Sequence, residues 1–163
     1  MIRLLCIGLL AVPAAAWGFD VNGVALGARE ADVKKAFPSA YCKALEWSSR
    51  AADRRCDDAR ISFAGVSGRV TFYLKSDAVQ AFDLRFDSSQ RDTMAAQLKS
   101  RWGTPASEAT ETFSRRDGNE RRTYKLRWVK GRDQALLTAP LEHARATLSA
   151  ARGDFDEEIY RVR

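Results

Sequence analysis

Arg69-Val70-Thr71-Phe72-Tyr73-Leu74-Lys75-Ser76-Asp77-Ala78-Val79-Gln80-Ala81-Phe82-Asp83-Leu84-Arg85-Phe86 decides the fold class. Val70, Phe72 and Leu74 alternate with Arg69, Thr71, Tyr73 and Lys75. Ser76-Asp77 suits a tight turn, and Phe82, Leu84 and Phe86 alternate with Asp83 and Arg85 on the way back. A period of two on both arms predicts an antiparallel hairpin with one face buried and one wet. Upstream, Arg60-Ile61-Ser62-Phe63 reads as a short first strand, punctuated afterwards by Gly65 and Gly68.

The clearest helix follows the hairpin, from Ser88 to Trp102. Met94, Leu98 and Trp102 recur at i, i+4 and i+8, with Ala95 beside them. Asp87 is placed to cap it, with Gln90 in a capping-box-like position. Gly103 ends it and Pro105 prevents a restart. A shorter helix is expected over Ala28–Phe37, with Val33, Ala36 and Phe37 on one face, a Glu30–Lys34 pair, and Pro38 as the stop. Asn22-Gly23-Val24 reads as a turn before it.

After a polar stretch the strand pattern returns. Tyr124, Leu126 and Trp128 face one way, and Thr123, Lys125 and Arg127 the other. Lys130-Gly131-Arg132-Asp133 forms the turn, and Gln134 to Thr138 the partner strand. Leu141 to Ala151 suits strand or helix. Strand is preferred, because the preceding hairpin needs a neighbour. The expected fold class is therefore α+β: a single antiparallel sheet with two helices packed on one face. A duplicated helix-plus-meander unit is the finer expectation. Val33-Lys34 and Phe37 precede Pro38 much as Leu98-Lys99 and Trp102 precede Pro105, and Thr71–Lys75 resembles Thr123–Arg127. These matches are too short to establish a repeat.

The N-terminus reads as a secretory leader over residues 1–16, followed by a single α+β domain over 17–163. Arg3 supplies the basic start, Leu4 to Val12 the apolar run, Pro13 the break, and Ala14-Ala15-Ala16 the small-residue cleavage pattern. The run is about half of the roughly 20 residues a membrane-spanning helix needs, so no stable membrane insertion is expected once the leader is gone. A periplasmic or secreted location follows as the expectation. Cys6 leaves with the leader, and Cys42 and Cys56 remain. An even count in an exported chain is read first as a disulfide. The polar segment Ser48–Arg55 between them has little to pack, so a tether there has a purpose. A redox pair would favour a CxxC spacing. A metal site would need more ligands than the single histidine, His143, can add.

Composition narrows the chemistry. A hydrophobic fraction of 45% with 29% charged residues belongs to a soluble globular protein able to bury a core. The net charge of +6, one unit of it in the leader, favours anionic partners but is too modest for a nucleic-acid binder. Arg115, Arg116, Arg121, Arg122, Lys125, Arg127, Lys130 and Arg132 cluster in a short span. On a strand, Arg121, Lys125 and Arg127 share the face opposite Tyr124, Leu126 and Trp128. This is a candidate anion site, since guanidinium groups bind phosphate bidentately. The plainer alternative, solvating charge on an outer sheet face, stands beside it and is the favoured of the two. Trp47, in the cysteine loop, is a candidate contact anchor. Its plainer alternative, folding back over the sheet, is also the favoured one.

No catalytic group stands out. G-x-S-x-G is absent, Glu142 is merely adjacent to His143, and no pair of carboxylates is singled out. Asp53, Asp57 and Asp58 lack the ligand number and the turn glycine of a calcium loop and have Arg54, Arg55 and Arg60 to neutralise them. No cofactor is expected.

Gly23-Val24-Ala25-Leu26-Gly27 before a short helix, and Gly103-Thr104-Pro105 after a longer one, resemble segments of a loose group of small exported bacterial proteins. The arrangement is similar to the helix-plus-meander layer of the small outer-membrane-assembly lipoprotein and the β-lactamase inhibitor protein. The resemblance covers only these helix-flanking segments and implies a binding or scaffolding module more than an enzyme. The lipidation cysteine of the assembly lipoprotein is absent. The functional expectation is a non-catalytic periplasmic module contacting an anionic envelope component or a periplasmic protein. A small hydrolase of envelope polymers and a protein inhibitor of a periplasmic enzyme are the alternatives.

Overall fold

A computed structural model of the chain describes residues 18–114, 118, 120–142 and 145–161. The leader, Arg115, Arg116 and His143 lie outside the described residues. Strands β1 (Asp20–Val21) and β2 (Val24–Ala25) form a small hairpin around Asn22-Gly23, both in the left-handed region. Helix α1 (Glu30–Ala36) follows, then β3 (Tyr41–Ala44), β4 (Arg54–Phe63), β5 (Val66–Lys75) and β6 (Ala78–Asp87). A 3-10 turn over Ser88–Gln90 leads into α2 (Arg91–Trp102). Strands β7 (Ser107–Ser114), β8 (Glu120–Lys130), β9 (Asp133–Pro140) and β10 (Arg145–Arg152) follow, and a last turn of helix, α3 (Phe155–Glu158), closes the described chain.

The α+β class is as expected, and the sheet is larger than the sequence suggested. Eight antiparallel strands run in the order β3-β4-β5-β6-β10-β9-β8-β7. Two helix-led, four-stranded meanders thus sit side by side, joined where β6 pairs with β10. The finer sequence correspondence does not survive. Thr71–Lys75 lies on the third strand of its meander and Thr123–Arg127 on the second of the other, so their likeness reflects a shared wet-and-dry alternation. The helix ends, Phe37 and Trp102, do occupy comparable places.

The hairpin that set the fold class forms through Ser76 and Asp77, with φ of 48° and 62°. Such double left-handed turns match the right-handed twist of the arms. A plain two-residue turn would oppose Phe72 to Ala81 and Val70 to Asp83. A bulge after Tyr73 shifts the register by one, giving Phe72↔Phe82 and Val70↔Leu84. The core face therefore stays apolar across both strands, since a one-residue slip exchanges the faces.

Both helices cover that same face. Val33 of α1 is fully buried, and Phe37 packs on Phe72 with ring centroids 5.3 Å apart. Met94, Leu98 and Trp102 of α2 lie over the second meander, with Trp102 edge-on to Trp128 at 5.6 Å. Tyr124, Leu126 and Trp128 face this core, as read from the sequence. Glu30 ties α1 to the sheet through Arg54 of β4 at 2.6 Å and also makes the expected pair with Lys34 within the helix at 2.7 Å. Among the described residues no helix is long and apolar enough to cross a membrane.

Several local expectations change. Asp87 caps the 3-10 turn that leads into α2, accepting from the Ser89 amide at 2.8 Å, and the Gln90 capping box is not formed. The strand expected upstream of the hairpin, over Arg60–Phe63, begins already at Arg54, so Cys56 lies on a strand. The polar stretch before Tyr124 contains the edge strand β7, whose residues are almost all exposed. The Leu141–Ala151 ambiguity resolves to strand over Arg145–Arg152.

Candidate functional site

The sheet face turned away from the helices carries the candidate site. Register places its outward side chains in rows across the strands. One row runs Asp57–Thr71–Asp83–Ser149–Leu136–Arg127. The next runs Arg69–Arg85–Thr147–Thr138–Lys125. From β5 to β8 that row crosses four strand spacings, about 19 Å.

The predicted pair Cys42 and Cys56 forms a disulfide between directly opposed positions of β3 and β4. The segment it encloses is not an untethered loop. Trp47 donates its indole N–H to the Ile159 carbonyl at 3.1 Å and stacks on Tyr160. Phe155 and Ile159 are buried with Ala52, Ala81 and Ala151, and Leu45, Trp47 and Tyr73 pack against them. Trp47 is therefore a structural clasp holding the C-terminal segment, with α3, over one end of the face opposite α1 and α2. Its half-buried ring does not stand free as an anchor.

The predicted anion residues separate. Lys125 pairs with Glu111 at 2.6 Å. Arg127 is exposed on the same face and donates to the Gln134 side-chain oxygen at 3.2 Å. Arg121 lies further along that strand, opposite Phe113, and is exposed. Arg132 sits in the β8–β9 turn region, 3.6 Å from Asp154, with both side chains largely in solvent. It does not join the sheet-face group. The acids near the disulfide are held as expected in part. Arg55 pairs with Asp57 at 3.0 Å. Arg54 instead serves Glu30, and Asp58 is satisfied by the Ser39 hydroxyl and the Arg60 amide, leaving the Arg60 guanidinium unused there.

Sequence reading missed the arginines that the fold brings together. Arg69 lies directly opposite Arg85, and Arg145 lies opposite Asp87, diagonal to Arg85. With Arg60 they line a groove of about 960 Å³, together with Ser62, Ser67 and Asp87. All four arginines are exposed, and among the described residues no carboxylate lies within 4.0 Å of their guanidinium groups. Their positions as polar alternates were legible. Their convergence was not, because it depends on the bulge in the β5–β6 pairing and on the distant β6–β10 pairing.

Beside the groove, a smaller hollow of about 330 Å³ contains Asp83, Tyr73, Thr71 and Asp57. Burial pushes the Asp83 carboxyl above the usual range. Arg85 draws it partly back down and Asp156 adds to the rise. Burial, reinforced by Asp83, also pushes the Tyr73 phenol up to about 12. A carboxyl whose pKa is higher folded than unfolded costs stability when ionised, and the cost disappears as pH falls below the folded value. Asp83→Asn is therefore expected to raise the melting temperature at pH 8, with the gain shrinking as pH is lowered to 4. Thermal melts of both proteins across that range check it, and a gain that grows on acidification contradicts it. Asp57 is committed to Arg55 and to the Thr71 hydroxyl. No family model, curated protein or solved structure matches the chain.

Proposed function

We propose that this chain is a non-catalytic binding or scaffold module of the periplasm or of the secreted fraction, and that the sheet face opposite α1 and α2 engages an anionic component of the envelope. One observation carries the reading. An open face bears Arg69, Arg85, Arg145 and Arg127, none of them within 4.0 Å of a carboxylate among the described residues, while α1 and α2 lie on the other side. Like charges directly opposite on a sheet are destabilising. A face that keeps Arg69 against Arg85 is suited to an external anion that offsets their repulsion. An aqueous compartment outside the cytoplasm is supported by the leader-like N-terminus and by the disulfide.

A catalytic reading has less support. Asp83 is the face's one carboxyl with a raised pKa, and the nearby Asp57 is held by other groups. A protein partner is the second reading, because Tyr41, Phe113 and Val129 are 69%, 52% and 46% exposed on this same face. Aromatic and apolar residues beside arginine are the usual anchors of protein contacts. An inhibitor of a periplasmic enzyme falls within this second reading.

The test is retention of the purified protein on immobilised envelope extract, with salt as a variable. The native chain is expected to bind, and more weakly as salt rises. Arg85→Glu, Arg127→Glu and Arg145→Glu together are expected to lower retention at least tenfold with the fold preserved by circular dichroism. Undiminished retention by that variant removes the anionic-envelope reading. Salt-insensitive capture of one protein, lost in Phe113→Ser, favours the second.

A further inference from the structure

We propose that the groove lined by Arg60, Arg69, Arg85 and Arg145 binds a sugar carrying two phosphate groups. This rests on the binding-module reading and goes beyond it by naming a site and a ligand class.

The charge argument comes first. Four exposed arginines line one hollow, and among the described residues no carboxylate lies within 4.0 Å of their guanidinium groups. Arg69 and Arg85 are cross-strand partners, Arg60 follows the β4 irregularity beside them, and Arg145 stands diagonally across on β10. Each planar guanidinium presents two parallel N–H groups that match two phosphate oxygens. Four such forks suit two phosphates better than one. The size agrees: about 960 Å³ is a volume for a multi-atom ligand and far exceeds a single phosphate.

The rest of the lining selects the frame between the phosphates. Ser62 and Ser67 are cross-strand partners and offer two hydroxyl groups. These groups suit a hydroxylated ligand. The aromatic and large apolar members of the lining, Phe86 and Ile61, are buried at 4% and 7% exposure. Phe86, the one aromatic member of the lining, gives a base little to stack on. A nucleotide is thus a poorer occupant than a bisphosphorylated sugar, and the vesicle arm of the test below separates a lipid headgroup from a free sugar.

Calorimetric titration of the folded, disulfide-bonded chain at low salt tests this with fructose 1,6-bisphosphate, inorganic phosphate and vesicles of phosphatidylglycerol. The bisphosphate is expected to bind at least tenfold more tightly than inorganic phosphate. Arg69→Gln with Arg85→Gln is expected to weaken it at least tenfold while the melting temperature holds or rises. Arg29→Gln with Lys35→Gln, an equal loss of charge on the α1 side, is expected to change it less than twofold. Equal losses in the two variants would mean diffuse attraction and overturn the site. So would a bisphosphate no tighter than inorganic phosphate, or vesicle binding that the groove variant abolishes while the bisphosphate stays silent. Retention on envelope extract without bisphosphate affinity overturns this inference alone, whereas loss of both overturns the binding reading as well.

Discussion

Trp128→Ala is expected to lower the unfolding free energy by about 3–5 kcal/mol, the range for removing a large aromatic side chain from a packed core. Trp128 is 2% exposed, at the centre of the second meander's inner face. Its ring meets Trp102 edge-on, and its indole N–H donates to the Gly103 carbonyl at 2.8 Å. That carbonyl lies just past the end of α2, so one side chain fills the core and fixes where the helix stops. Alanine opens a cavity and takes away the carbonyl's donor together. At roughly 2–4 °C per kcal/mol for a chain of this size, the melting temperature drops by about 6–20 °C. Urea unfolding followed by circular dichroism measures it. Val129→Ala, one residue on and facing the other way, is the control and should change stability by less than about 0.5 kcal/mol. Loss of under 1 kcal/mol in Trp128→Ala would mean that the second meander does not pack as described.

Opening the disulfide is the second large effect. Cys42 and Cys56 are separated by 14 positions, and a closed loop of about 15 residues is worth about 3 kcal/mol in the chain-entropy account. The local structure argues that most of this is realised. Strand β3 has four residues, pairs on one side only, and leads into the segment bearing Trp47. Without the bridge that edge has little else to hold it, and the clasp of Trp47 on Ile159 and Tyr160 loosens with it. Cys42→Ser with Cys56→Ser is expected to melt about 6–12 °C lower than the native chain. Dithiothreitol should bring the native chain down to the same temperature and leave the double variant unmoved. Identical melting of oxidised and reduced protein would contradict the structural role of the bridge.

These cases also locate what could be read in advance. Trp128 and its neighbours were legible because alternation on one strand needs no knowledge of the rest. The Ser88–Trp102 helix was legible because its apolar spacing, start and stop agree. β7 was not, since Ser107-Glu108-Ala109-Thr110-Glu111 is an edge strand with almost nothing buried, and alternation has no contrast there. The start of β4 was hidden because Arg54 and Arg55 resemble loop residues until Glu30, Asp57 and Glu46 are seen beside them. The arginine groove failed for a different reason. Arg69, Arg85 and Arg145 each looked like ordinary outer-face polarity, and only the strand order makes them neighbours. Lys125, by contrast, was flagged by local charge density and proves to be matched by Glu111 across the strand gap.

Every ladder of the large sheet but one joins strands consecutive in the chain, and the exception is the seam of β6 with β10. Closing it must bring Asp87 to Arg145 and Ala81 to Ala151 across the whole second meander, a long loop whose entropy is lost before its contacts form. The two meanders can therefore organise early and locally, and the kinetic barrier to the native state falls on their docking. Slowing that step, for instance by weakening Leu84 against Leu148, should retard refolding more than an equal loss of stability within either hairpin.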